Sequence, residues 1–161
     1  MKNVFIAVKA QLKAKVPGIL QLERWNNQLA NEGTGPALVF PAIYYQIDGV
    51  KMESISHGIQ HGSGILRIRY CDKQLRPADL KTYDYEAAGY LSLQGFKGGP
   101  ILTGLDRIAL YPDPNHAAVE VVIAEYRLKY EDRSKFEAKN HVLPGSTLAP
   151  EVRVVEWIAG E

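Results

Sequence analysis

Apolar side chains recur at helical spacing in the first fifteen residues, with lysines between them. The apolar positions are Val4, Phe5, Val8 and Leu12. This pattern predicts an amphipathic helix over residues 2–15. Pro17 and Gly18 end that helix, because proline removes a backbone donor and glycine adopts the dihedral angles that leave a helix.

Alternation of apolar and polar residues marks two strands, over residues 65–71 and 118–131. Their apolar faces are expected to pack into the core, while their polar faces contact water or a partner. On the first strand the polar face carries Arg67 and Arg69. On the second it carries Glu125, Arg127, Lys129 and Glu131. These six charged residues are the candidate oligomer or partner contacts.

Three shorter β-rich runs predict further strands over residues 19–22, 37–47 and 105–111. Pro41 confines the second run to a sheet edge or to the start of a strand, since proline cannot donate to the ladder. Pro112-Asp113-Pro114 is a strong turn signal, so the third run is predicted to form a hairpin with the strand that follows it.

Helical spacing returns between Asp79 and Phe96 and predicts a second helix there. Its apolar side is marked by Tyr83, Ala87, Tyr90 and Leu91. The glycines from Gly95 onward end this helix. Gly89 lies inside it and costs about 1 kcal/mol of helix propensity.

The order helix, strand, strand, helix, strand, strand predicts an α+β fold, with two helices packed on one face of a mainly antiparallel four- to five-stranded sheet. Residues 1–135 are expected to form a single domain. Residues 48–64 are polar and glycine-rich, which predicts either a flexible loop or a hairpin arm. Residues 136–161 fit this plan poorly and are expected to be a C-terminal extension that docks on a neighbour.

Composition adds that the chain is an ordinary soluble protein of 161 residues, 46% hydrophobic. Its 19 basic and 18 acidic side chains leave a net charge of +1, which disfavours broad electrostatic capture of nucleic acid. The apolar run Val4–Val8 is too short for a signal peptide or a membrane span. The lone Cys71 suits a reducing compartment, so we expect a cytoplasmic protein. From the short apolar run and the low net charge we expect no membrane partner and no specific nucleic acid.

Residues with catalytic or metal-binding potential do not form a known constellation. His57 and His61 have a metal-ligand spacing only on a helix, which the surrounding glycines oppose, and Glu53 is the one acidic residue near them. Gly62-Ser63-Gly64 lacks the nucleophile elbow of hydrolases, and the glycines at 95–99 lack the Lys-Ser or Lys-Thr of a phosphate-binding loop. We therefore expect no catalytic residue, no cofactor and no metal.

The order of parts resembles the tail-terminator (tail-completion, head-to-tail joining) proteins of long-tailed bacteriophages and prophages. The similar features are the first helix ending in Val16-Pro17-Gly18, then Trp25-Asn26-Asn27-Gln28 and the run Phe40–Tyr45, then the glycine-rich insertion, the strand Gly64–Cys71, the second helix, and the closing hairpin around Pro112-Asp113-Pro114. The resemblance spans residues 2–133. The stretch from Asn140 onward departs from the short ending of that family.

This resemblance implies a non-enzymatic structural subunit that forms a homo-oligomeric ring, commonly a hexamer, on the finished tail tube. Its implied partners are further copies of itself, the tail-tube protein and the head-connector protein. It would be made in the cytoplasm of the bacterial host and incorporated in the virion. A small ligand-binding or enzymatic α+β domain is the alternative, and it requires a deep pocket that gathers His57 or His61 with Glu53.

Overall fold

The computed structural model describes residues 1–31, 37–56, 58–73, 80–116 and 118–135. Its helices are α1 (Lys2–Lys15) and α2 (Lys81–Leu93), and a short 3-10 helix covers Gln28–Asn31. Its strands are β1 (Gln21–Arg24), β2 (Ala42–Ser56), β3 (Ile59–Lys73), β4 (Asp106–Pro112) and β5 (Val119–Asp132). The predicted extension at 136–161 and His57 lie outside the described residues.

The five strands form one sheet in the order β1-β2-β3-β5-β4. Every neighbouring pair is antiparallel except β1 and β2, which run parallel. The predicted α+β fold with a mainly antiparallel sheet is confirmed. Pro41 immediately precedes β2, which is an inner strand, so proline marks a strand start here and not a sheet edge.

The main core lies between the sheet and both helices, which cover the same face as predicted. Helix α1 contributes Val4, Val8 and Leu12, and its N-H at Val16 donates to the Leu12 carbonyl as the helix ends. The apolar face of β5 contributes Ala124, Tyr126, Leu128 and Tyr130. The alternating pattern of the two long strands therefore identified this face of the sheet correctly.

Helix α2 buries a different side from the one its apolar residues mark. The residues it buries are Thr82, Glu86, Gly89, Ser92 and Leu93. Tyr83, Ala87 and Leu91 are exposed instead. Gly89 explains the change: a Cβ there would lie 2.0 Å from the Tyr70 hydroxyl oxygen, so only glycine lets this tyrosine fill the space beneath the helix. The predicted helix is present, but of its predicted apolar residues Tyr83, Ala87 and Leu91 are exposed and Tyr90 is half-buried.

The opposite face of the sheet carries a second, smaller core at one end, where the sequence predicted only water or a partner. Its buried members are Leu29, Ala42, Tyr44, Cys71, Val119, Val121 and Ile123. Trp25, Leu38 and Phe40 pack over them. The segment between β1 and β2 thus covers apolar side chains that the alternating pattern places on this face. Its residues 37–41, predicted from sequence as the start of a strand over 37–47, precede β2, which begins at Ala42.

Residues 48–56 and 59–64 belong to the long β2–β3 hairpin. Their pairing continues out to Ser56 and Ile59, with irregular register between Asp48 and Lys51 and again near the tip. Tyr130 of β5 supports the outer part of this hairpin by packing its ring over Gly62, where a Cβ would lie 2.3 Å from the ring. Residues 51–56 of this hairpin are exposed.

Candidate interaction surface

An ion-pair network crosses the open half of the sheet face that the helices leave uncovered. Arg67 on β3 is paired in register with Glu125 on β5, and its Nη2 lies 2.7 Å from the Glu125 Oε1. The Arg67 Nη1 lies 2.8 Å from Asp48 Oδ2 on β2. The Tyr111 hydroxyl of β4 donates to Glu125 Oε1 at 2.8 Å. Four strands are therefore joined through two of the predicted contact residues.

The pKa values of this network favour the charged forms. Burial raises the pKa of Glu125, but the hydrogen bonds from Tyr111 and Arg67 outweigh it and leave that pKa below its ordinary value. Burial lowers the pKa of the Arg67 guanidinium, yet the hydrogen bond and charge of Glu125 raise it overall. Each group stabilises its partner's charge, and the network therefore holds the strands together.

Arg69 is buried, in contrast to the exposed contact that the sequence suggested. Only 8% of the residue is exposed. Its Nη1 donates to Gln46 Oε1 at 2.8 Å, and its guanidinium carbon lies 4.2 Å from the centre of the Trp25 ring. Burial, followed by the charge of Arg67, lowers the pKa of Arg69. Arg69 thus fixes the cover of the second core to the sheet.

The remaining three predicted residues lie farther along β5. Glu131 accepts a hydrogen bond from Arg133 and lies 3.5 Å from the Nε2 of His61. Arg127 lies 3.9 Å from Asp106, and its side chain is 66% exposed. Lys129 is exposed as well. Of the six candidates, Arg127 and Lys129 are therefore the ones that present their charges most freely to solvent.

The described residues that the enzymatic alternative needs lie side by side on the β2–β3 hairpin and its neighbour β5. Glu53 is the register partner of His61, and Glu131 lies on the other side of the same histidine. Over the described ranges, no group of three or more His, Cys, Asp or Glu side chains is placed to bind a metal ion. A groove of about 670 Å³ lies between α1 and residues 99–100, and neither Glu53 nor His61 lines it.

Exposed apolar side chains at the two edges of the sheet were not identified from the sequence. At the β4 edge they are Ile108, Leu110 and Tyr111, and on the exposed side of α2 they are Tyr83 and Leu91. At the β1 edge Leu20 is 67% exposed beside a groove of about 220 Å³. The sequence contained one signal for the exposure of α2 residues. In α2 the predicted apolar residues and Gly89 lie on different sides of the helix, so only one of these sides could be buried.

No helix in the described part of the chain combines the length and hydropathy that crossing a bilayer requires.

No family model and no curated protein matches this sequence. Among solved structures, the fold is similar to a chain of the virion of a native gene transfer agent (GTA) particle. The match has a TM-score of 0.55 and 16% sequence identity, and it covers 81% of this chain and 96% of the other. The two chains thus share a fold over almost the whole length of the virion chain.

Proposed function

We propose that this chain is a non-enzymatic structural subunit of a phage or prophage tail, which forms a ring at the end of the tail tube and joins it to the head. The observation that carries this proposal is the likeness in fold to a chain of a virion particle across 96% of that chain. The order of helices and strands that resembles tail terminators supports it independently. The subunit would be made in the host cytoplasm and incorporated in the particle.

The charged sheet face supports a structural role over a catalytic one. Arg67 and Glu125 neutralise each other across two strands, and Arg69 is occupied by Gln46 and Trp25. These contacts stabilise the domain. Arg127 and Lys129 remain as an exposed basic pair two residues apart on β5. We assign this pair to a contact with an acidic surface of the tail-tube or head-connector protein.

Light scattering coupled to size-exclusion chromatography, over a series of protein concentrations, tests the ring. A discrete species that appears as a ring in negative stain supports the proposal. Co-sedimentation with isolated tail tubes then tests the contact, and Arg127→Glu/Lys129→Glu is expected to weaken binding about tenfold through charge repulsion. A chain that neither forms a ring nor binds tail tubes contradicts the proposal.

A further inference from the structure

The two edges of the sheet carry opposite charge next to exposed apolar side chains. Helix α1 flanks the β1 edge, where Lys9 and Lys13 line the groove with Ile19, Leu20 and Leu22. Arg24 adds a third positive charge at the end of β1, and Glu23 offsets one of them. The groove therefore combines an apolar floor with a basic rim.

The β4 edge, at the far end of the strand order, carries acidic instead of basic side chains next to its exposed apolar residues. Arg107 of β4 pairs with Glu86 of α2 and stacks 3.9 Å from the centre of the Tyr90 ring, which fixes α2 beside this edge. Asp106 at the start of β4 and Asp113 just after its end provide negative charge at this edge, and Arg127 offsets Asp106 at 3.9 Å. Ile108 and Leu110 project as an exposed apolar ridge between these acids.

We propose that the acidic β4 edge of one copy docks on the basic β1 edge of a second copy, with the Ile108–Leu110 ridge against the groove lined by Lys9, Lys13 and Leu20. The occupant is a second copy because one chain carries both complementary surfaces. This inference rests on the proposed ring, for which it supplies the contact between neighbours. Two different patches on opposite edges make a head-to-tail contact, which generates a ring when its rotation closes.

Side chains provide this contact, rather than an extension of the sheet. Strand β4 has an irregular register between Arg107 and Ala109, and it ends at Pro112. Bulges and prolines on an edge strand disfavour pairing with a further strand. Strand β1 is only four residues long. Apolar packing with a rim of opposite charges therefore fits both edges, and it gives the specificity that a bare strand edge lacks.

Charge reversal on each edge tests the contact. Lys9→Glu/Lys13→Glu makes both edges acidic, and Asp106→Lys/Asp113→Lys makes both edges basic. Each variant alone is expected to need about tenfold more protein than the wild type to form a ring. The variant that combines all four changes, and an equimolar mixture of the two double variants, are expected to assemble close to the wild-type concentration, because opposite charges meet again.

The controls separate loss of contact from loss of folding. Lys51→Glu/Lys73→Glu changes the same number of exposed lysines on the inner strands β2 and β3 and is expected to assemble as the wild type does. Each reversal variant must have the melting temperature of the wild type. Leu20→Glu, an exposed change within the groove, provides a second disruption of the β1 edge. Assembly that is insensitive to all edge variants, or that neither the mixture nor the four-site variant restores, overturns the inference.

Binding to isolated tail tubes distinguishes this inference from the proposed function. A wild-type chain that binds tail tubes without contacting its own copies retains the proposed structural role in the tail but overturns the edge contact. A ring that the edge variants form with wild-type affinity also retains the proposed structural role but overturns the edge contact. A chain that neither self-assembles nor binds tail tubes contradicts both.

Discussion

At the scale of single residues, Arg67 and Glu125 show how two charges become part of a fold. They lie 58 positions apart in the chain, and the β3–β5 register makes them direct neighbours. The Glu125 side chain is only 14% exposed, so the pair is screened less than a surface ion pair. Removing one partner therefore costs more than the median surface salt bridge.

Glu125→Gln is expected to lower the free energy of unfolding by about 1–2 kcal/mol near neutral pH, because it weakens a charge-assisted hydrogen bond. The pKa of Glu125 lies below its ordinary 4.5 in the folded protein. The stabilisation that ionised Glu125 provides is thus complete at pH values above its ordinary pKa, and it declines as the pH falls through the lower pKa of the folded protein. Urea unfolding as a function of pH measures the difference, which should shrink in acid.

Glu53→Gln on the exposed hairpin tip is the control, with an expected change within about 0.5 kcal/mol. A Glu125→Gln variant that is as stable as the wild type at neutral pH would contradict the role assigned to the network. A difference that grows in acid would contradict the direction of its pKa shift.

At the scale of elements, alternation and helical spacing predicted most of the fold. Helix α1 runs from Lys2 to Lys15 as its apolar spacing indicated, and β3 and β5 place their apolar faces as period two requires. Those patterns succeed because burial selects one face of each element. The parallel pairing of β1 with β2 was not predicted, since a four-residue strand carries no signal of its direction.

Helix α2 shows where pattern alone fails. Its buried side contains Glu86, paired with Arg107, and Gly89, which makes room for Tyr70. Neither residue is apolar and large, so hydrophobic spacing selected the exposed side. The sequence also placed Arg67 and Arg69 on the correct face of the sheet, but only the register shows which side chains of the same chain they contact.

The exposed side of α2 gives a direct test of this reversal. Leu91 is 81% exposed, whereas Leu93 is fully buried. Leu91→Ala is expected to change the free energy of unfolding by no more than about 0.5 kcal/mol. Leu93→Ala should cost about 2–5 kcal/mol, because it leaves a cavity in the main core. Urea denaturation at low protein concentration compares the two, and equal costs would contradict the orientation of α2.

At the scale of the whole molecule, the sheet is covered on both faces by layers of unequal size. The helices cover the larger core, and the segment that contains Trp25, Leu38 and Phe40 covers the smaller one. The smaller cover is held by few side chains, among them Trp25, which contacts Arg69 and lies edge-on to Tyr44 at 5.8 Å. Regions with few buried contacts open at lower free energy than the global core.

Cys71 reports on this opening, because it lies fully buried under the smaller cover and is the one cysteine in the chain. Burial raises the pKa of its thiol to about 12, so the closed state reacts poorly with thiol reagents. Trp25→Ala is expected to lower the local opening free energy by about 1.4 kcal/mol or more, and thus to speed modification at least about tenfold. Phe5→Ala, which truncates a ring in the helix layer 5.7 Å from Tyr45, is the matched control. If both variants speed modification equally, the two layers open together and the sheet does not separate them.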